Sequence, residues 1–351
     1  MEPQANLVLD AAERIFRDLA DSQTIIHSRS EAWKQPLWEA LDDVGLPLAM
    51  VPEANGGHEL PLAEGLAVAR AAGRAGLAIP LVDTMIAGWV LGHTQLEIPA
   101  GSRPILVPCL SRDVRQESED VFVRTTKVPF GRAATHLVLV ATLGGNTSVA
   151  LVPAERCEIS RGCNLAGDPS DDVQVTLHPD LFAETDRLAP EVVFLLGAVA
   201  RSLQIAGALE TLLDLSVRYS QERVAFEKPI AKFQAVQHNL ARLSGEVAAA
   251  VAVAESAADA LATLPSDSNE LLLEIASAKI RCGEAAETGA RIAHQVHGAI
   301  GYTDEHVLHR YSLRALAWRD EFGNESTWAR RLGRIVCGQS STQLWNLLAS
   351  R

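Results

Sequence analysis

The spacing of apolar residues predicts a strand-rich middle between two helical parts. From residue 1 to about 100, apolar side chains recur every three or four positions, as on a helix with one buried face. From Arg103 to His178 they come instead in short runs between turn residues, which predicts five or six strands. From Pro190 the helical spacing returns. This order indicates separate α and β parts rather than alternating βαβ units.

We therefore predict a mostly helical α+β fold with three domains. A helical domain would span residues 1–102, a small antiparallel β-barrel 103–187 and an antiparallel helix bundle 188–351, with a β-sandwich as the alternative for the middle domain. Glycines 144 and 145 followed by Asn146 predict a hairpin between two strands. The predicted bundle helices are 192–223, 231–262, 269–296, 305–318 and 327–349.

Composition narrows the function classes. A net charge of −13 leaves no basic surplus to neutralise phosphates, so we expect no nucleic-acid partner. The five cysteines form no C-x-x-C pair, which predicts neither a zinc site nor a disulfide framework and fits a reducing cytoplasm. The first residues lack the pattern of a signal peptide, and we expect that no apolar run is long enough to cross a bilayer. We expect a cytoplasmic protein that does not bind membranes.

The stretch RYSQERVAFEKPIAKFQAVQ, residues 218–237, joins two long helical patterns at a basic corner. Pro229 forbids one continuous helix because it lacks an N–H and clashes with the preceding turn. The corner carries Arg223, Lys228 and Lys232. An anion-binding site and a solvated turn are both compatible with this pattern.

Two further stretches carry residues suited to chemistry. In HQVHGAIGYTDEH, residues 294–306, Gly298 follows a long helix and would allow a ligand to approach closely, while the histidine spacing matches no zinc motif. In WRDEFGNESTW, residues 318–328, Glu321 precedes a glycine turn. A buried carboxylate there would serve as a general base; an acidic linker between helices is the alternative. No G-x-G-x-x-G, P-loop or G-x-S-x-G motif occurs.

Several of these stretches together resemble the acyl-CoA dehydrogenase family. The basic corner matches R-x-x-F-G-x-P-I-x-x-F-Q except at Glu227, where the family has glycine. The segments WEALDDVGLPLAMVPEANGG, KVPFGRAATHLVLVA and HQVHGAIGYTDEHVLHRY are similar to other parts of the family in the same order. The resemblance implies FAD-dependent α,β-dehydrogenation of an acyl-CoA thioester, an oxidation of a CH–CH bond.

The resemblance also implies residue roles. Arg223 would bind the pyrophosphate of FAD, and Phe226 and Gln234 would border its adenine side. Gln295 and Gly298 would contact the same half of the cofactor. In the family these groups serve the FAD of a neighbouring subunit, so the resemblance implies a homo-oligomer or a heterotetramer.

The chain departs from the family at the reacting half of the site. In the family, the usual catalytic base is the Glu of a Tyr-Glu-Gly-Thr turn. Phe322 stands at that position here, so Glu321, one residue earlier, is the candidate base. Other members carry the base on the first bundle helix, and residues 197–201 hold no carboxylate. The flavin-contacting segments are replaced by PILVPCLSRDV and by Pro129-Phe130-Gly131.

This combination resembles a short subunit of heterotetrameric acyl-CoA dehydrogenases, in which two related chains share one active site and which include enzymes of steroid side-chain degradation. Fatty, branched and steroid acyl groups all remain open as substrates. Two alternatives are a catalytically silent subunit that binds an acyl-CoA or a partner, and a flavin monooxygenase of the same fold.

Overall fold

A computed structural model describes residues 3–28, 30–117 and 119–349, and its elements follow the order predicted from the sequence. Helices at both ends of the chain flank a strand-rich middle. The described α-helices are α1 (Pro3–Leu19), α2 (Ser22–Ser28), α3 (Lys34–Asp43), α4 (Leu62–Arg74), α5 (Leu81–Leu91), α6 (Pro190–Glu222), α7 (Gln234–Thr263), α8 (Asn269–His297), α9 (Leu308–Asp320), α10 (Glu325–Cys337) and α11 (Ser341–Ala349). The described strands are β1 (Pro104–Pro108), β2 (Val114–Glu117), β3 (Asp120–Pro129), β4 (His136–Leu143), β5 (Asn146–Pro153), β6 (Glu158–Ser160), β7 (Ser170–Leu177), β8 (Ala183–Thr185), β9 (Val224–Ala225) and β10 (Lys228–Pro229).

The chain divides into two compact units. The first comprises Met1–Ile15, Ala32–Val68 and Ala78–Gly197, and it contains strands β1 to β8. The second comprises Phe16–Glu31, Ala69–Leu77 and Ala198–Arg351, and it contains α7 to α11. The three-domain division at residues 102 and 187 stays a prediction.

The strands of the first unit form two four-stranded sheets, ordered β1-β4-β5-β8 and β2-β3-β7-β6. This differs from the predicted antiparallel barrel, because no sheet of the described residues closes on itself and β1 runs parallel to β4. The parallel pair is possible because β2 and β3, which lie in the other sheet, provide the crossover that two neighbouring parallel strands require. The predicted hairpin is confirmed, since Leu143 pairs with Asn146 across the two glycines.

Both sheets contribute side chains to one hydrophobic core, because alternate residues of each strand point to the same face. Buried valines at 121, 123, 173 and 175 come from β3 and β7, while Leu137, Leu139 and Val152 come from β4 and β5. Phe130, just after β3, is also buried in this core.

Helix α6 is apolar on most sides and largely buried. The sequence prediction that no apolar run is long enough to cross a bilayer is wrong on length and composition, because the segment Glu191–Glu222 of α6 meets both requirements. However, 89% of its most apolar window is buried inside the protein, as in the core helix of a bundle.

In the second unit, α8 packs against α7, α9 and α10. Ser268 caps the start of α8 by accepting a hydrogen bond from the Leu271 N–H. The helix predicted over 327–349 is two helices, α10 and α11, separated by Gly338 and the two residues after it. A glycine in that position favours the end of a helix. The apolar spacing continues across it, however, and therefore predicted one helix.

Candidate functional site

The basic corner forms a β-hairpin that the sequence analysis did not predict. Strand β9 pairs with β10, with Ala225 opposite Lys228. The two turn residues, Phe226 and Glu227, have φ angles of 51° and 63°. A two-residue turn with both φ values positive is a tight hairpin turn that normally selects Asn-Gly. Phe-Glu at these positions lacks that signal, so the hairpin was missed.

The hairpin presents Arg223 and Phe226 to solvent. The Arg223 backbone N–H donates to the Tyr219 carbonyl at 2.8 Å, and the Arg223 carbonyl accepts from the Ile230 N–H at 2.9 Å, so its backbone is fixed while its side chain is exposed. The Phe226 side chain is 90% exposed and meets Phe233 edge-to-face, with ring centroids 6.2 Å apart. The corner therefore displays a guanidinium and an aromatic ring on a constrained turn.

Gln234 lies at the other side of the same corner. It is the first residue of α7, and its side chain is exposed. The cap residue of this helix is Phe233, whose side chain has no oxygen or nitrogen atom that could accept a hydrogen bond from the first helical N–H groups. Lys228 lies over the Phe233 ring at 4.5 Å, which adds positive charge near this helix start.

The predicted sites at the end of α8 are also exposed. Gln295 lies on the outer face of the last helical turn, and Gly298 ends the helix with φ 65° and ψ −143°. That conformation is strained for residues with a side chain. A Cβ at Gly298 would meet no heavy atom within 4 Å, so open space lies beside the backbone.

A stacked pair joins the end of α6 to the end of α8. The Tyr219 and His297 rings stack with centroids 4.5 Å apart. Tyr219 lies one turn before Arg223, and His297 immediately precedes Gly298. The two segments that the family resemblance assigns to FAD are therefore neighbours in the folded chain.

Histidines cluster at this junction. The His297 Nδ1–H donates to the Ala293 carbonyl at 2.8 Å, and the ring lies 4.8 Å from that of His306. Burial, followed by the charges of neighbouring histidines, lowers the pKa of His297 to about 4. Burial likewise lowers the pKa of His294 and of His306. Among the described residues, no group of three or more His, Cys, Asp or Glu is arranged to hold a metal ion.

Glu321, the candidate base, is bound in an ion pair. Its Oε2 accepts a hydrogen bond of 2.6 Å from the Nε of Arg201, whose side chain is 1% exposed. The Arg201 Nη1 donates to Gln204 Oε1, also at 2.6 Å. The Glu321 carboxylate is therefore held by a buried guanidinium. As a base, Glu321 would first have to leave Arg201.

Phe322 and Gly323 complete the turn between α9 and α10. Phe322 has a φ of 54°, its ring lies 5.5 Å from the Arg201 guanidinium, and its carbonyl accepts from the Trp328 indole N–H at 3.0 Å. Gly323 has a φ of 88°, and a Cβ there would lie 2.9 Å from that indole nitrogen. A hydrophobic ring thus occupies the position at which the resemblance places the Glu that acts as catalytic base.

Two residues at this site, Arg201 and Lys279, were not predicted from the sequence. Lys279 is buried in α8 and contacts the backbone of the Glu321 turn. The sequence around Lys279 does not distinguish it from other lysines in helices. Arg201, in contrast, is the one charged residue between Glu191 and Glu210, in an otherwise apolar stretch. That isolated charge was the available signal, because an unpaired charge in a buried helix is rarely tolerated.

In the first unit, the segments that replace the family's flavin contacts are structural. PILVPCL contains the buried strand β1. Phe130 occupies the place of the family's Trp-containing flavin contact and lies in the core between the two sheets. These segments are used for packing.

The chain is similar in sequence to known acyl-CoA dehydrogenases. Residues 191–336 match the model of the acyl-CoA dehydrogenase C-terminal domain. Acyl-CoA dehydrogenase IpdE2 of Mycobacterium tuberculosis is 29% identical over 289 residues, which cover 81% of each chain.

Two solved structures establish the likeness of fold. The ChsE4–ChsE5 complex of Mycobacterium tuberculosis matches with a TM-score of 0.85 at 20% identity, covering 97% of this chain and 99% of the other. The Tcur3481–Tcur3483 steroid ACAD matches with a TM-score of 0.81 at 22% identity, covering 95% and 98%. The chain is therefore similar to acyl-CoA dehydrogenases, through the matched C-terminal domain and through the relative that spans most of the chain, and it shares its fold with these solved structures.

Proposed function

We propose that this chain is a subunit of an FAD-dependent acyl-CoA dehydrogenase that shares its active site with a partner chain. One contrast carries the proposal. The corner around Arg223 is an exposed basic hairpin, whereas the reacting half has Phe322 at the base position and Glu321 in an ion pair. A chain of this kind is suited to completing an active site whose reacting groups come from a partner chain.

The exposed residues fit the nucleotide half of FAD. The Arg223 guanidinium would donate paired hydrogen bonds to the pyrophosphate oxygens. Phe226 would pack beside the adenine, with Gln234 at the edge of the same pocket. Gln295 would donate to the cofactor, and Gly298 would let it approach the backbone because no side chain fills that space. When bound, FAD accepts the hydride from the β-carbon of the acyl group.

The catalytic base is assigned to the partner chain in this proposal. Glu321 remains the candidate within the chain itself, and a homomeric enzyme that uses it is the second candidate function. Glu321 favours that alternative in one respect, since it is the carboxylate nearest the family's base position and is 12% exposed. Its bond to Arg201 argues against it.

Assembly with a related chain follows from the site. An exposed corner that binds another subunit's cofactor is useful only in an oligomer. One of the structures of similar fold reported above is the ChsE4–ChsE5 complex, which contains two different chains. We extend that arrangement to this chain, with an acyl-CoA as substrate and the cytoplasm as location.

Co-expression with candidate partner chains of the same family tests the proposal. We expect the chain alone to purify colourless, and the complex to carry flavin and to oxidise acyl-CoA esters. Arg223→Ala should lower flavin content in the complex, whereas Arg242→Ala, which removes an exposed arginine on α7, should leave it unchanged. Flavin bound by the chain alone would support the homomeric alternative. A complex without flavin would support the silent subunit.

The role of Glu321 is tested separately. We expect the Glu321→Gln variant of the complex to keep α-proton exchange of the acyl-CoA, because the base belongs to the partner. Loss of exchange with flavin content unchanged would assign the base to Glu321 and refute the shared-base proposal.

A further inference from the structure

Lys279 is a buried lysine whose three N–H donors all bind backbone carbonyls at the end of α9. Its side chain is 1% exposed. The ammonium group donates to the carbonyls of Trp318 and Arg319, both at 3.1 Å, and of Glu321 at 2.9 Å. An ammonium has three N–H donors, so each one has a carbonyl partner.

These carbonyls need a donor. Those of Trp318 and Arg319 belong to the last turn of α9, where no following helical N–H can reach them. The end of a helix also carries partial negative charge, which a cation stabilises. Glu321 leaves the helix with an extended backbone, φ −75° and ψ 140°, and its carbonyl turns towards Lys279. Lys279 therefore binds both the helix end and the first residue beyond it.

We propose that Lys279 is a positioning residue, whose ammonium group holds residues 321–323 in the conformation that presents Glu321 to Arg201. The Glu321 backbone is held from α8 by Lys279, and its carboxylate is held from α6 by Arg201. Phe322 and Gly323, which follow with positive φ angles, start from the position that these two cations define. The importance of this turn for catalysis rests on the proposed function; its dependence on Lys279 does not.

The charge of Lys279 makes the turn sensitive to alkaline pH. Burial lowers the pKa of Lys279 to about 8, opposed by the carboxylate of Glu321. The other ionisable groups facing it are Arg201 on α6, Glu325 on α10 and Cys282 on its own helix. Cys282 stays neutral, because burial raises its pKa to about 12. A neutral amine has two N–H donors for three carbonyls, so deprotonation leaves one buried carbonyl unpaired.

Hydrogen exchange of the full chain, corrected for intrinsic exchange rates, tests this proposal. We expect protection of the Trp328 indole N–H, which donates to the Phe322 carbonyl of this turn at 3.0 Å, to be constant from about pH 6 to 7.5 and to fall roughly tenfold by about pH 9. In Lys279→Arg the cation persists, so protection should not change over this range. In Lys279→Met protection should be low at every pH. Lys127→Met removes an exposed lysine and should behave like the wild type.

Two outcomes would overturn the proposal. One is constant protection of the wild-type turn up to about pH 9.5; the other is an equal alkaline loss in Lys279→Arg. The comparison of wild type with Lys279→Arg stands even if Lys279→Met does not fold. Because it is measured on the chain without partner, flavin or substrate, failure of the shared-site proposal would leave this result intact.

Discussion

Breaking the Arg201–Glu321 pair should destabilise the second unit strongly. Arg201 is almost fully buried, and the Nε–Oε2 distance is 2.6 Å. Arg201→Met leaves the Glu321 carboxylate without its guanidinium in a mostly dry site. Removing one partner of a buried ion pair usually lowers the free energy of unfolding by about 3–5 kcal/mol. We expect Arg201→Met near the lower end, because Glu321 retains 12% exposure to water.

A double-mutant cycle separates the pair from general packing. Glu321→Leu alone leaves Arg201 bonded to Gln204 but without a counter-charge, so it too should be destabilising. Arg201→Met with Glu321→Leu removes both charges and should be no less stable than the worse single variant. The two substitutions should therefore couple by roughly 2 kcal/mol or more, within the range measured for residues in contact.

Urea unfolding followed by ellipticity and by tryptophan fluorescence gives these values, provided that the two transitions coincide in each variant. Arg201→Lys is the matched control, since it keeps the charge but not the planar group that bonds both Glu321 and Gln204. Additivity of the two single variants to within about 0.5 kcal/mol would refute the argument. That result would mean that the buried pair is not a unit.

Two further predictions concern the predicted cofactor segments. Glu227→Gly should raise the free energy of unfolding by about 1 kcal/mol, because it relieves a φ of 63°, whereas Glu227→Ala should give no gain; thermal unfolding of both variants checks this. The protein should lose stability as pH falls from about 6.5 towards 4, because His297 has a pKa of about 4 in the folded chain and so binds fewer protons there than when unfolded. The loss from this residue is up to about 3 kcal/mol, and His297→Phe should reduce it; an unchanged pH dependence in that variant would contradict the assignment.

The helical and strand-rich parts could be predicted from the sequence because their signals are local. Apolar spacing in α7 and α8 reports directly on one buried face, and paired glycines report directly on the β4–β5 hairpin. The family resemblance was equally accessible, because the family's motifs are runs of neighbouring residues in a set order. Arg223, Gln295 and Gly298 lie on such runs, so the sequence alone predicts them as site residues.

What the sequence could not supply was the pairing of distant residues. The parallel pairing of β1 with β4, the stacking of Tyr219 on His297, and the contacts of Glu321 with Arg201 and Lys279 each join positions far apart along the chain. A single helical arginine or lysine carries no local sign of its partner.

The sequence by itself therefore determined the order of elements, the resemblance to the acyl-CoA dehydrogenase family and the basic corner proposed to bind a nucleotide. Only the tertiary structure decided that the carboxylate next to the missing base is held by a buried arginine. The physical reason is that helix spacing and turn residues act through the nearest few residues, whereas the state of a buried charge depends on which helices bring other charges beside it.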